Sequence, residues 1–251
     1  MTDALRLAAM FGAGAIGGAI NSVAGGGSFL VFPTMLFSGI PPVAANATTA
    51  VALWPGNVSS AVAYRNNLSE DRKMLAVLAV ASAIGGGLGA KVLLVTSDAT
   101  FAKLLPLLLL VASAVFTFGP RLSKKEGVRK LPLVAGALLQ LAISFYGGYF
   151  GGGMGILMLA VYTLMGMRDL HAMNAFKVVF AVLINGVAVV AFVVAGAVVY
   201  EAALPTAIGS IAGGFVGAWL ARRVDPLHVR RFVLVIAWSL TTFFAYRAIL
   251  K

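Results

Sequence analysis

The sequence contains no cysteine and only two histidines, His171 and His228. The first absence excludes disulfide scaffolds and thiolate metal sites, and the second leaves too few ligands for a histidine-built metal centre. The G-x-G-x-x-G match at residues 12–17 lies inside an apolar segment with no preceding strand, so it does not indicate a dinucleotide site. We therefore predict no cofactor, no metal and no catalytic residue, and an integral-membrane enzyme is the least supported class of function.

Charged residues are also scarce, at 11% of 251 residues, whereas a soluble domain carries about 25%. Hydrophobic residues make up 61% of the chain, and the mean hydropathy is +0.98. A water-soluble fold could not cover so much apolar surface, so the sequence predicts a polytopic membrane protein in a lipid bilayer. The net charge of +11 then reflects basic cytoplasmic loops rather than a nucleic-acid partner.

Charges and turn residues divide the chain into apolar segments, which we predict to be helices because backbone groups in lipid must be satisfied within their own segment. Two segments, 28–39 and 153–167, are shorter than the roughly 20 residues that a full crossing needs. Only Gly25–Gly27 and Gly151–Gly153 separate them from the preceding segments, so each pair is predicted to be a broken or re-entrant helix pair. Both full crossing and re-entry stay open. The ten segments are 4–23, 28–39, 43–64, 73–96, 100–119, 131–147, 153–167, 172–198, 202–221 and 228–250.

The chain repeats itself. A shift of 126 residues superposes the two glycine clusters, and a shift of 128 superposes 44–65 on 172–193. We predict a first repeat at 1–119, a basic cytoplasmic linker at 120–130 and a second repeat at 131–251. The pairs identical under the second shift are Ala44/Ala172, Asn46/Asn174, Ala47/Ala175, Val51/Val179, Asn57/Asn185, Val62/Val190 and Ala63/Ala191.

The distribution of basic residues predicts the orientation. Each repeat holds an odd number of segments, so the second repeat must enter the membrane from the opposite face. Most of the 19 Lys and Arg residues then fall on the side opposite to both termini, which places the termini outside the cytoplasm. Inverted repeats with interrupted helices are typical of secondary transporters. The residues on the predicted cytoplasmic side are Arg65, Arg72, Lys73, Arg121, Lys124, Lys125, Arg129, Lys130, Arg168, Arg222, Arg223, Arg230 and Arg231.

The candidate site follows from the interrupted helices. Helices that begin at Ser28 and Gly153 would direct electropositive N-termini toward the centre of the protein, where they attract anions. Lys177 is the sole Lys or Arg that is not assigned to a segment end, a loop or a tail, which makes it a candidate site residue. A lysine that snorkels to the interface is the alternative. Under the shift of 128 residues, the equivalent position in the first repeat is Thr49. The predicted substrate-binding residues are Asn21, Ser22, Gly25, Gly26, Gly27, Ser28, Asn46, Thr49, Asn57, Gly151, Gly152, Gly153, Asn174, Lys177 and Asn185.

Two alternatives bear on this site. The paired asparagines either line the substrate path or hold neighbouring helices together. The glycine pairs Gly85/Gly89 and Gly213/Gly217, in contrast, are predicted to serve close helix packing. All eight acidic residues fall in loops or at segment ends, which leaves no mid-membrane carboxylate for Na⁺ or a proton relay. This pattern favours a negatively charged substrate over a cation.

The stretch from Asn21 to Pro33, Asn-Ser-Val-Ala-Gly-Gly-Gly-Ser-Phe-Leu-Val-Phe-Pro, resembles the TauE/SafE sulfite exporter family, also called TSUP or formerly DUF81 permeases. The Gly-Gly-Gly-Met-Gly-Ile run and the Asn-Ala-Phe-Lys stretch that ends at Lys177 are similar to the family's second repeat. The resemblance implies transport of small sulfur-containing anions, such as sulfite, sulfoacetate or related sulfonates, across the bacterial inner membrane. Met154 stands where the first repeat has Ser28, a departure from a symmetric hydroxyl pair.

The sequence thus predicts an all-α polytopic permease with two inverted repeats of five segments, which works by alternating access around a midplane site. A passive anion channel with the same site is the alternative. Monomeric and homodimeric states both stay open.

Overall fold

The predicted all-helical architecture is confirmed in a computed structural model, which describes residues 3–23, 26–64, 72–122, 131–220 and 226–249. Within these ranges the chain forms helices and no strand. Their bounds lie within a few residues of the predicted segments. The helices are α1 Asp3–Val23, α2 Ser28–Phe37, α3 Pro42–Tyr64, α4 Arg72–Val95, α5 Asp98–Leu122, α6 Leu133–Tyr149, α7 Met154–Leu164, α8 Leu170–Val194, α9 Tyr200–Leu220 and α10 Pro226–Ile249.

The helices differ in their capacity to cross a bilayer. By length and apolar composition, four stretches of the described chain suffice: Ala4–Ser22, Arg72–Val95, Asp98–Phe118 and Ala172–Val194. Helices α2 and α7 have 10 and 11 residues. At 1.5 Å per residue they extend about 15 Å, which is half of the roughly 30 Å hydrocarbon layer. Each therefore reaches only part of the way across.

Both short helices fold back along the helix that precedes them. The backbone N–H of Leu131, just before α6, donates to the carbonyl oxygen of Leu164 at the end of α7, at 2.8 Å. The two ends of the α6–α7 hairpin therefore lie side by side. In the first half, a Cβ on Gly17 of α1 would lie 2.7 Å from Cγ2 of Val31 in α2. The chain thus reverses direction between the helices of each pair, and we call residues 26–27 the first tip and residues 150–153 the second tip.

The two halves pack in matching patterns. Helix α1 packs on α9 and its counterpart α6 on α4; α3 likewise contacts α9, as α8 contacts α4. Helices α3 and α8 contact each other, as do α5 and α10. Each helix of the first half has an equivalent five helices later, so that α1 corresponds to α6 and α4 to α9. When every helix is replaced by its equivalent, each of these contacts becomes another contact of the same set or stays the same. This is the pattern expected of two copies of one unit.

Glycines allow the closest of these contacts. A Cβ on Gly213 of α9 would overlap the carbonyl oxygen of Ala15, and one on Gly217 would lie 2.5 Å from Cα of Ala19. Gly85 and Gly89 of α4 make equivalent backbone contacts with α6. These four glycines therefore occupy the packing positions predicted from their spacing, where any side chain would push two backbones apart.

The starts of three helices lie together at one end of the bundle. The backbone N–H of Val43, at the start of α3, donates to Oδ1 of Asp98 at the start of α5, at 2.8 Å. The N–H of Val199, just before α9, donates to Oγ1 of Thr48 in α3, at 3.0 Å. The loops before α3, α5 and α9 thus share one face of the protein, as alternating helix directions require.

Candidate anion-binding site between the glycine tips

A cavity of about 110 Å³ lies where the two tips approach α3, α5 and α8. A water molecule in the liquid occupies about 30 Å³, so the cavity has room for a solute the size of three or four waters. Both halves contribute to its lining. The predicted residues among those that line it are Asn21, Gly26, Ser28, Asn46, Thr49, Asn57, Gly151, Gly153, Lys177 and Asn185.

Asn21 organises the first tip. Its Oδ1 accepts a hydrogen bond from the backbone N–H of Gly27 at 2.7 Å, and its Nδ2 donates to Oδ1 of Asn57 at 3.4 Å. Gly26 has a φ of +95°, a conformation in which L side chains are strained. The side chain that closes the turn therefore also anchors it to α3.

The second tip is held by both halves of the chain. The Tyr146 hydroxyl donates to the carbonyl oxygen of Gly152 at 2.6 Å. Nδ2 of Asn46, a buried residue of α3, donates to the carbonyl oxygen of Tyr149 at 2.9 Å and so satisfies the end of α6. Gly151 and Gly153 have φ values of +80° and +79°. Asn46 thus both lines the cavity and joins the first half to the second tip.

The first turns of α2 and α7 border the cavity. Ser28 and Gly155 both line it, and within the described residues no acceptor is found for the backbone N–H of either one. Unpaired N–H groups at the start of a helix carry a partial positive charge, equivalent to about half an elementary charge for a whole helix. The two helix starts therefore make the cavity electropositive.

Lys177 supplies the one full positive charge among the described lining residues. Its Nζ donates to Oδ1 of Asn174 at 3.0 Å, one turn earlier on α8. Its aliphatic stem lies against the first turn of α7, since a Cβ on Gly155 would be 3.2 Å from Cδ of Lys177. The lysine therefore lies over the start of α7, and no Asp or Glu is found among the described residues that line the cavity.

Five predicted residues fall outside the described lining. The Ser22 hydroxyl lies 2.9 Å from the carbonyl oxygen of Gly214 and 3.2 Å from that of Gly18, and its single proton donates to Gly214 at the shorter distance, so it joins α1 to α9. Gly27 is buried against Gly17, Gly152 accepts from Tyr146, and Asn174 positions Lys177. Gly25 lies outside the described residues. Of the asparagines that do line the cavity, Asn185 donates its Nδ2 to the carbonyl oxygen of Ala181 in its own helix, at 2.8 Å.

Aromatic side chains form a wall that the sequence did not reveal. Phe116 of α5 lies between the tips: a Cβ on Gly26 would be 2.7 Å from its Cζ, and one on Gly153 would be 3.5 Å from its Cδ2. The Phe116 ring packs edge-on against Phe29, with centroids 5.6 Å apart. Phe150 and Phe192 also line the cavity. Nothing in an apolar segment separates a lining phenylalanine from the rest of the chain's 16.

Comparison with known proteins identifies the family. The profile of the sulfite exporter TauE/SafE family matches residues 10–243, which is nearly the whole chain. The chain belongs to this family. It is 27% identical over 242 residues to a probable membrane transporter protein of Haemophilus influenzae, with 96% of this chain and 94% of that protein covered.

Two further relatives carry similar names. Identity is 30% over 237 residues to the probable membrane transporter protein ORF9 of Sinorhizobium sp., covering 93% of this chain and 90% of the relative. It is 26% over 247 residues to the probable membrane transporter protein YfcA of Escherichia coli K12, covering 94% and 88%. No solved structure matches the chain. The protein is accordingly a multi-pass membrane transporter of the TauE/SafE family.

Proposed function

We propose that the protein is a secondary permease that carries small sulfur-containing anions, such as sulfite or organosulfonates, across the bacterial inner membrane. The observation that carries this proposal is the cavity in which two helix starts and Lys177 come together without an acidic side chain among the described lining residues. A buried positive group without a counter-ion is costly, and an anionic ligand relieves that cost. The family description points to sulfite among anions of this kind.

The cavity volume of about 110 Å³ supports a small substrate. A sulfur atom with three or four oxygen or carbon substituents is of this size, whereas a nucleotide or a sugar phosphate is not. Phe116, Phe150 and Met154 give the lining apolar groups that a short organic substituent of the substrate would contact. Sulfite and short sulfonates therefore fit both the charge and the size of the cavity.

The matching packing of the two halves supports inverted repeats and alternating access. The cavity lies between the halves, so that rocking of one half against the other would open it to one side at a time. The tips fold back on α1 and α6, which supports re-entrant hairpins rather than full crossings. With both termini outside the cytoplasm, Arg72, Lys73 and Arg168 would face the cytoplasm, in agreement with the positive-inside rule.

The test is counterflow in proteoliposomes. Vesicles loaded with unlabelled sulfite are diluted into a trace of radiolabelled sulfite, and uptake of label is followed over time. An alternating-access permease exchanges label for internal sulfite and transiently accumulates it above equilibrium. A passive channel gives no overshoot and instead a conductance carried by the anion. Absence of both sulfite and sulfonate flux would refute the proposal.

A further inference from the structure

Thr49 differs from most of the serine and threonine residues in the described helices. A serine or threonine in a helix commonly donates its hydroxyl to the carbonyl four residues earlier. Residues of the described helices that do so include Thr34, Thr117, Ser144, Thr163, Thr206 and Thr241. Thr49 is 2% exposed, and its Oγ1 has no hydrogen-bond partner among the described residues. Its hydroxyl is therefore unpaired within the described part of the chain.

The position of Thr49 relates its unpaired hydroxyl to the cavity. Five buried side-chain polar atoms lack a partner in the described part of the chain, and only the one on Thr49 belongs to a residue that lines the cavity. A buried hydroxyl without a partner costs free energy that a ligand oxygen would recover. Thr49 on α3 is the repeat counterpart of Lys177 on α8, and the two helices pack together. One cavity thus receives a cation from one half and an unpaired hydroxyl from the other.

The Lys177 ammonium group has more hydrogen-bond donors than Asn174 accepts. An ammonium group carries three N–H donors, and Lys177 gives one of them to Asn174. The amide of Asn174 is neutral, so it orients the ammonium without cancelling its charge. The remaining donors of Lys177 are available to an oxygen of a bound anion.

The charge of the lining matches one negative charge rather than two. Lys177 is the only Lys or Arg among the described lining residues. The helix starts add partial charges only, and at the first tip the Gly27 N–H is already donated to Asn21. A second full negative charge would be buried without a full counter-charge, against walls that include Phe116 and Phe150.

We propose that the cavity selects a monovalent oxyanion, whose charged group binds the Lys177 ammonium while another of its oxygens accepts the Thr49 hydroxyl. This inference rests on the proposed function and narrows its substrate class to singly charged anions. Thr49 then sets specificity through a neutral hydrogen bond. Short sulfonates meet both requirements, because they carry one charge over three equivalent oxygens.

A matched ligand series tests the charge preference. Dimethyl sulfone, methanesulfonate and sulfate have nearly the same size and a tetrahedral sulfur, but carry charges of 0, −1 and −2. Their dissociation constants are measured by calorimetry on the purified full chain in detergent, with thermal shift as a second readout. We expect methanesulfonate to bind at least about tenfold more tightly than either of the others, since an unmatched charge is costly in a buried site. Sulfate that binds as tightly as methanesulfonate would overturn the monovalent assignment.

Substitutions at Thr49 test the hydroxyl. Thr49→Val keeps the side-chain volume and removes the hydroxyl, whereas Thr49→Ser keeps the hydroxyl. We expect Thr49→Val to weaken methanesulfonate binding about tenfold, as the loss of one hydrogen bond to a charged ligand predicts, and Thr49→Ser to stay within about threefold. Thr34→Val, which removes a hydroxyl from α2 outside the described lining, is the control. Should Thr49→Val fail to fold, Thr49→Cys replaces it, because the thiol keeps the size and is a weak donor.

The outcomes separate this inference from the proposed function. If the wild-type protein neither binds nor transports any of these anions, the proposed function itself is refuted. Methanesulfonate binding that is lost in Lys177→Met but unchanged in Thr49→Val would leave the anion permease standing and overturn the role of Thr49. Weaker binding in Thr49→Val together with rescue by Thr49→Ser would support it.

Discussion

The Ser113 hydroxyl of α5 and the Thr241 hydroxyl of α10 share a hydrogen bond of 3.0 Å, and the two residues are 128 positions apart in the chain. That separation equals the shift that superposes the two repeats. In the inverted-repeat arrangement that we propose, a residue that contacts its own counterpart would lie close to the axis that relates the two halves. Trp54 behaves in the same way, since its Nε1 donates to the carbonyl oxygen of Val182, again 128 residues away. In the described part of the chain, the α5–α10 and α3–α8 crossings thus bring helices at equivalent positions of the two halves into contact.

Replacement of Lys177 tests the cation in the cavity. Lys177→Met keeps an unbranched stem over Gly155 and removes the charge. We expect sulfite or sulfonate binding to weaken about 10- to 100-fold, because a hydrogen bond from a charged donor is worth about 1.5–3 kcal/mol. The thermal midpoint of the ligand-free protein should not fall, because a charge without a counter-ion is removed. Lys91→Met, at an exposed position of α4, is the matched control, and equal binding in the two variants would exclude Lys177 from the site.

The requirement for glycine in the first tip can be separated from backbone strain. Gly26 and Gly39 both have positive φ values, +95° and +85°, so alanine is strained by a similar amount at each, by roughly 1–2 kcal/mol. A Cβ on Gly26 would meet the Phe116 ring at the cavity, whereas one on Gly39 meets nothing within 4 Å. We expect both substitutions to lower the thermal midpoint and only Gly26→Ala to abolish transport in proteoliposomes. Transport by Gly26→Ala at the rate of Gly39→Ala would mean that the tip has no part in the substrate path.

How much the sequence predicts depends on the range of the interaction. The helix ends, the short α2 and α7 and the Lys177–Asn174 pair follow from spacing along one helix, and the structure has them. Contacts between distant segments are different. The bond from Asn46 to the end of α6 and the insertion of Phe116 between the tips depend on which helices pack together. The hydrophobic pattern of a single segment does not predict which other helix it will contact.

Ser22 also shows that contacts between distant segments are hard to predict from the sequence. Its place beside the glycine cluster predicts a substrate ligand, yet its hydroxyl lies at the contact of α1 with α9, where it donates to the carbonyl oxygen of Gly214. A polar residue on an apolar helix needs a partner, and the partner can be a ligand or a neighbouring backbone. Only the arrangement of α9 against α1 decides between the two.

Glycine packing between α1 and α9 predicts opposite effects at two positions of similar sequence context. A Cβ on Gly213 would overlap the Ala15 backbone, while one on Gly12 meets nothing within 4 Å. Gly213→Ala should therefore lower the thermal midpoint in detergent. Gly12→Ala should leave it unchanged or raise it, because alanine favours a helix over glycine by about 1 kcal/mol. Equal destabilisation by the two substitutions would contradict the packing role of Gly213.

The predicted orientation can be read by chemical labelling, because the chain contains no cysteine and each introduced thiol is unique. Ser97, between α4 and α5, and Arg168, between α7 and α8, are both exposed and lie on opposite sides of the proposed topology. In intact spheroplasts, a membrane-impermeant maleimide should label Ser97→Cys and not Arg168→Cys. Permeabilisation should then expose Arg168→Cys, which controls for the reactivity of its thiol. Labelling of Arg168→Cys alone in intact cells would invert the topology and move both termini to the cytoplasm. Labelling of both would mean that the two loops share one side, against the odd number of crossings that α5 to α7 make between them in the proposed topology.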